Sequence, residues 1–208
     1  MSRRDGGSEF RLDAPMTLRT KIILMRHGEP TARYSAWIAG REFGEWVRSF
    51  DQGGIKEAML IPDEVRQLAS TIGLVISSDL LRATQSAARL ARKTVIDPDL
   101  REAGLVESFR TSLRAPVSLW LAAARLAWRL DVTSSQEPIA AARARAQRVT
   151  DNVISLAREY RSVLVVGHGV FNSLIARRLR ALGWSGPLVP PSRYWSVATY
   201  RPPHGKRG

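Results

Sequence analysis

Between Lys21 and Gly28 the chain reads Lys-Ile-Ile-Leu-Met-Arg-His-Gly, a block of apolar residues closed by a glycine. A short continuous apolar run that stops at a turn signal predicts a buried strand. The same design returns at Val163-Leu164-Val165-Val166-Gly167-His168-Gly169. Leu74–Ser77 and Thr94–Ile96 predict two further strands, the second ended by Asp97-Pro98, and the alternation from Tyr194 to Tyr200 predicts a last one. Helical spacing separates them. Asp63 to Ser70 has a helical pattern. Asp79 is a candidate N-cap for a helix reaching Lys93, with Leu80, Ala83, Ala87 and Leu90 on one face. Glu137-Pro138 opens a helix to Tyr160, and Val170 to Leu182 forms another before Gly183 and the prolines 187, 190 and 191.

Repeated strand-helix alternation predicts an α/β fold: a three-layer α/β/α sandwich around a mainly parallel sheet. Two stretches break the rhythm. Glu29 to Pro62 contains four glycines and no sustained period, which predicts a long loop on the active side that can hold one short helix. Residues 105–136 read as a helical cap insertion. Within it Leu119, Ala123, Leu126 and Leu130 mark one stripe, with Trp120 and Trp128 beside it and Arg125 and Arg129 one turn apart. Its basic, tryptophan-bearing helix could also suit a membrane surface, but its alanine-rich faces favour packing. Residues 1–19 read as a disordered arm, 20–201 as one domain and 202–208 as a loose tail.

Composition narrows the function classes. The chain has no cysteine, which excludes disulfides, thiolate metal sites and a cysteine nucleophile. No segment has the apolar length of a membrane span, so a cytoplasmic location is the default expectation. The formal charge of +13 would draw anionic partners. Its arginines are spread over several helices rather than massed in one block, which disfavours nucleic acid and fits a compositional bias.

The chain has three histidines, and two of them stand at the ends of the matching strands. In open α/β sheets, ligands bind outside the carboxyl ends of the strands, so His27 and His168 can face one pocket. Two such histidines make a poor zinc set without a further ligand, and neither a metal nor a cofactor is expected. His204, in a Pro-Pro-His-Gly tail, is set aside. Each feature has a plainer reading, as a turn histidine, a solvated helix arginine or a surface glutamate. Their order along the chain is what separates the readings.

Leu24-Met25-Arg26-His27-Gly28-Glu29 resembles the signature of the histidine phosphatase superfamily, the phosphoglycerate mutase-like proteins. Ser77-Ser78-Asp79-Leu80-Leu81-Arg82-Ala83-Thr84, Leu100-Arg101-Glu102 and Val165-Val166-Gly167-His168-Gly169 resemble three later elements of that family, in its order. The resemblance implies a metal-independent phosphatase acting on a small phosphorylated substrate. His27 is then the nucleophile and forms a phosphohistidine, while Arg26, Arg82 and His168 bind the phosphoryl oxygens. Gly169 and Thr31 would add substrate contacts. Glu102 would be the acid/base, with Glu107 as its substitute, and Arg33 and Tyr34 are either substrate contacts or surface residues. Guanidinium groups suit phosphoryl oxygens because they are planar and offer several donors. A mutase-like phosphotransferase and a non-catalytic binder of phospho-ligands or nucleic acid are the alternatives. Phe50 to Ala58 and Ala103 to Glu107 depart from the family's usual segments, so the natural substrate and the oligomeric state stay open.

Overall fold

The computed structural model describes residues 20–91, 93–106, 109–131 and 137–203. They form strands β1 (Lys21–Arg26), β2 (Trp37–Ala39), β3 (Leu74–Ser77), β4 (Val95–Ile96), β5 (Arg114–Pro116), β6 (Ser162–Gly167) and β7 (Val197–Tyr200). The helices are α1 (Phe43–Gln52), α2 (Asp63–Ser70), α3 (Leu81–Ala88), α4 (Val117–Arg129), α5 (Ile139–Tyr160) and α6 (Gly169–Ala181). Five strands pair in the order β4-β3-β6-β1-β7, parallel except for β7 at one edge.

The two apolar runs are adjacent strands at the centre of this sheet. Leu24 registers with Val165 on one side and with Ala198 on the other. Successive strand residues point to opposite faces. Ile22, Leu24, Ile76, Val163 and Val165 accordingly pack under α5 and α6, against Val149, Val153, Phe171 and Ile175. Ile23, Met25, Val75, Leu164 and Val166 pack on the other face with Val65 of α2 and Ala83 and Ala87 of α3. The result is the expected α/β/α sandwich. Among the described residues no helix is long and apolar enough to cross a membrane.

A smaller core stands over the carboxyl edge of the sheet. It joins Phe43 of α1, Ala115 of β5 and Trp120 and Ala124 of α4, with β2 and β5 paired antiparallel beneath them. The loop expected over residues 29–62 holds its one short helix, α1 of ten residues, and also the strand β2, which was not expected. Phe43, Trp46, Val47 and Phe50 follow helical spacing, a signal masked by the neighbouring glycines. On α4 the stripe and its neighbours divide. Trp120 and Trp128 turn inward, where their indole N–H groups donate to the carbonyls of Ile38 and Glu137 at 3.1 and 2.8 Å. Leu119, Leu126 and Leu130 stay exposed. The larger apolar area of the indoles, together with their hydrogen bonds, decides which face is buried.

The helix expected from Asp79 to Lys93 is shorter, Leu81–Ala88, and Asp79 does not cap it. The Asp79 carboxylate instead accepts from Arg101 Nε at 2.7 Å, while the Ser78 hydroxyl accepts from the Leu80 amide at 3.3 Å. The arm over 1–19, residues 107–108 and 132–136 of the expected insertion, and 204–208 of the tail lie outside the described residues. Glu107 and His204 are among them.

Candidate active site

The parallel register of β1 and β6 carries both histidines past the same edge. The His27 amide donates to the Gly167 carbonyl at 3.0 Å, which extends the ladder by one residue. The two imidazole rings then lie 5.2 Å apart, both buried. Gly28 turns the chain away, its amide donating to the Ser86 hydroxyl of α3 at 2.8 Å. A Cβ on Gly28 would stand 2.6 and 2.8 Å from ring carbons of Trp195. Trp195 is buried and has a φ of 61°, a conformation that leaves it little freedom to move. Gly28→Ala is therefore expected to destabilise the fold by about 1–3 kcal/mol and to displace the His27 loop. Denaturant unfolding and kcat/KM measured on the same preparation test this.

His27 is held in one tautomer. Its Nδ1 lies 2.6 Å from the Gly28 carbonyl oxygen, which can only accept, so Nδ1 carries the hydrogen and Nε2 keeps its lone pair. Burial pushes its pKa well below the usual histidine value, and the charges of His168, Arg82 and Arg26 push in the same direction. Burial, followed by Arg82 and Arg26, does the same to His168. Both rings are thus neutral at ordinary pH.

Two arginines flank them. Arg26, the last residue of β1, donates Nη1 to the Ser192 carbonyl and lies over the Tyr194 ring, 4.5 Å from its centroid. Arg82, on the first turn of α3, is 1% exposed. Its Nη1 donates to the Phe50 carbonyl at 3.1 Å and its Nη2 pairs with Asp51 at 3.0 Å. The Nε atoms of both arginines and both ring nitrogens of His168 are buried without a hydrogen-bond partner among the described residues. Leaving such donors unmatched is costly, and an anion bearing several oxygens would match them. Asp51 is a half-exposed carboxylate competing for the same guanidinium. Asp51→Asn is expected to tighten inhibition by inorganic phosphate roughly fivefold, the size of a half-exposed ion pair of about 1 kcal/mol. Phosphate inhibition constants of the two proteins check this.

Glu102 follows the short 3-10 turn Pro98–Leu100 and meets the start of α6. Its carboxylate accepts from the amides of Val170 and Phe171 at 3.2 and 2.8 Å and from the Ala103 amide at 2.9 Å. It therefore caps that helix from outside, where helix N-termini favour negative charge. Burial pushes its pKa up, but the Arg125 charge and the three amides outweigh burial and hold it below the usual carboxylate range. Capping and the ionised resting state were not foreseen from the sequence.

His27, His168, Arg26, Arg82, Glu102 and Gly169 all line one cavity of about 730 Å³. Thr31 does not. It is exposed, and its amide and hydroxyl both turn to the Gly54 carbonyl. Of the two residues read either way, Tyr34 lines the cavity, with its pKa raised by burial and then by its hydrogen bond to Tyr194, whereas Arg33 is exposed and outside it. Arg125 of α4, Asp51 and Phe50 are wall residues that sequence reading did not assign. Position in a helix of unknown packing gave no sign that Arg125 points inward.

The model of the histidine phosphatase superfamily, branch 1, matches residues 22–206. The chain belongs to the histidine phosphatase superfamily. No curated protein matches it. Solved structures with the same fold include the product of open reading frame Rv3214 of Mycobacterium tuberculosis, at 20% identity and a TM-score of 0.61, covering 89% of this chain and 92% of that one. The mycobacterial glucosyl-3-phosphoglycerate phosphatase Rv2419c is similar at 21% identity and a TM-score of 0.55, covering 86% and 89%. A phosphoserine phosphatase from Entamoeba histolytica, solved as a mutant with phosphoserine, is similar at 15% identity and a TM-score of 0.57, again covering 86% and 89%. At these identities the likeness is one of fold.

Proposed function

We propose that the protein is a metal-independent phosphatase that hydrolyses a small phosphomonoester through a phosphohistidine on His27. The observation that carries this reading is that Arg26, Arg82 and His168, with buried nitrogens lacking a partner among the described residues, line the same cavity as His27, whose Nδ1 is taken up by the Gly28 carbonyl. Such a set of donors suits an anion with several oxygens, and its arginines would meet the charge that accumulates during transfer. His27 Nε2 attacks phosphorus, and the bond from phosphorus to the ester oxygen breaks. A proton from Glu102 goes to that oxygen, and the alcohol leaves. Water then attacks the phosphohistidine, Glu102 takes its proton, and phosphate departs from neutral His27. The arginines neutralise the transferred group, so no metal has a step to perform.

Two of the structurally similar proteins are phosphatases by name, of glucosyl-3-phosphoglycerate and of phosphoserine. Both names describe phosphomonoesters, the class assigned here. Rapid quenching of a reaction with a radiolabelled ester should trap label on the protein that is stable to alkali and labile to acid, as a phosphoramidate is. Phosphate release should persist with chelator present. Absence of the label under single-turnover conditions overturns the proposal.

A second reading, transfer to another acceptor, is favoured by the size of the cavity and by Arg48, Arg101 and Arg125 in its wall. Transfer of label to an added phosphorylated metabolite with little phosphate released would select it. A non-catalytic binder would bind phosphate esters without turnover or label.

A further inference from the structure

Arg125 belongs to α4, the helix standing over the sheet edge, yet its guanidinium reaches the loop that carries Glu102. Its Nη1 donates to the carbonyls of Ala103 and Gly104 at 2.9 and 3.1 Å, the two peptide groups next along the chain from Glu102. Its Nη2 lies 3.7 Å from Glu102 Oε2. About four-fifths of both side chains is buried. The guanidinium also lies 5.6 Å from the Trp128 ring, one turn further along α4, which fixes it from behind. One side chain of the covering unit therefore both anchors the backbone of the proposed acid/base and places a positive charge beside its carboxylate.

We propose that Arg125 is a positioning residue that sets the proton affinity of Glu102 and so couples the seating of α4 to the proton-transfer step. The inference rests on the reading of Glu102 as acid/base given above. Other charged or titratable groups surround the same carboxylate. Glu137 interacts with it at longer range and is neutralised by Arg145 of α5, with the paired atoms 2.6 Å apart. Arg101 adjoins it in the chain but is turned to Asp79. His168 precedes α6, and Asp51 acts on Arg125 from the opposite wall. Glu137 and Arg145 offset each other, and His168 is neutral. Arg125 is the charge whose removal changes Glu102 most: it is the strongest of the groups lowering that carboxyl, ahead of the α6 amides.

An opposite charge at this distance lowers a carboxyl pKa by about one to three units. Removing it in Arg125→Gln, which keeps a donor for the Ala103 and Gly104 carbonyls, should raise the Glu102 pKa by about one unit. Protonated Glu102 then persists to higher pH. The fall of kcat/KM with rising pH for an alkyl phosphomonoester should shift about one unit toward alkali. The profile for an aryl ester, whose leaving group needs no acid, should not move. Arg125→Lys should keep the wild-type limb. The carboxyl can also be titrated without turnover, by carbon-13 NMR of glutamate-labelled protein, with the Glu102 signal assigned by its loss in Glu102→Gln.

A shifted NMR titration together with a shifted alkyl limb supports the inference. An unmoved NMR titration in folded Arg125→Gln overturns it, as does a rise in KM on both ester classes with both limbs unmoved, which would make Arg125 a plain substrate contact. A shifted NMR titration with no shift in the alkyl limb overturns the reading of Glu102 as the proton donor, and leaves the electrostatic coupling to Arg125 standing.

Discussion

His27→Ala is expected to remove phosphatase activity on every substrate, by about four orders of magnitude or more, while leaving the fold and phosphate binding in place. The size follows from chemistry. Without the imidazole no covalent intermediate forms, and water must attack the ester directly in a pocket whose arginines only bind and polarise it. Retained folding follows from packing, because the His27 side chain contributes one hydrogen bond, to the neighbouring Gly28 carbonyl, and its ring contacts are with His168 and Tyr194 at the pocket. Arg26, Arg82 and His168 keep their unmatched nitrogens in the variant, so it should still bind inorganic phosphate. Calorimetric binding of phosphate alongside single-turnover kinetics checks both halves. Activity within tenfold of wild type would remove His27 from the nucleophile's position.

A second variant separates the histidine pair. His168→Ala deletes a proposed phosphoryl ligand without deleting the proposed nucleophile, so labelled intermediate should still form, more slowly. Its ring nitrogens have no partner among the described residues and its burial lowers its pKa. In the proposed mechanism it acts as a neutral hydrogen-bonding group, whereas the charge on the phosphoryl oxygens is met by the two arginines.

The central layer was legible because its residues obey strong local rules. Ile22 to Met25 and Val163 to Val166 are buried on both faces, and a strand buried on both faces shows itself as an unbroken apolar run. Each strand ends directly before its histidine, and a glycine follows directly after it. The covering unit was not legible. Trp37–Ala39 and Arg114–Pro116 pair across more than seventy intervening residues, and three-residue strands carry no period of their own. For α4 the period was correct, but a helix with leucines on one side and tryptophans on another does not declare which side is inside. Arg125 and Glu102 illustrate the limit further. Each was visible as a residue type, but their ion pair, and the hydrogen bonds from Arg125 to the peptide groups after Glu102, run between segments whose relative placement only the fold fixes.

Glu102→Gln is expected to divide substrates by leaving group. For alkyl phosphomonoesters kcat/KM should fall by about two to four orders of magnitude, the usual worth of a positioned general acid. For an activated aryl ester, whose oxygen leaves as a stable anion, bond breaking should be nearly unaffected, and any loss should lie in the second half-reaction, where Glu102 takes the proton of the attacking water. Glutamine is the informative replacement. Its one carbonyl oxygen can still accept from the Phe171 and Ala103 amides that share Oε1, whereas alanine would uncap α6 and cost about 1 kcal/mol. The pH dependence follows from the sign of the shift. Glu102 has a lowered pKa, so above it the protonated fraction falls tenfold per pH unit, and alkyl-ester kcat/KM should decline as pH rises. His27 is also lowered, so its Nε2 remains unprotonated as pH falls. The lowered His27 keeps the nucleophile unprotonated toward acid, and the lowered Glu102 confines the protonated acid to the same side, so alkyl esters should be turned over fastest on the acid side of neutrality. In Glu102→Gln the decline toward alkali should vanish because no titrating acid remains. Stopped assays of phosphate release across pH, on one alkyl and one aryl ester, carry the comparison. Equal losses on both esters with an unchanged pH profile would leave Glu102 as the cap of α6 and require another proton donor.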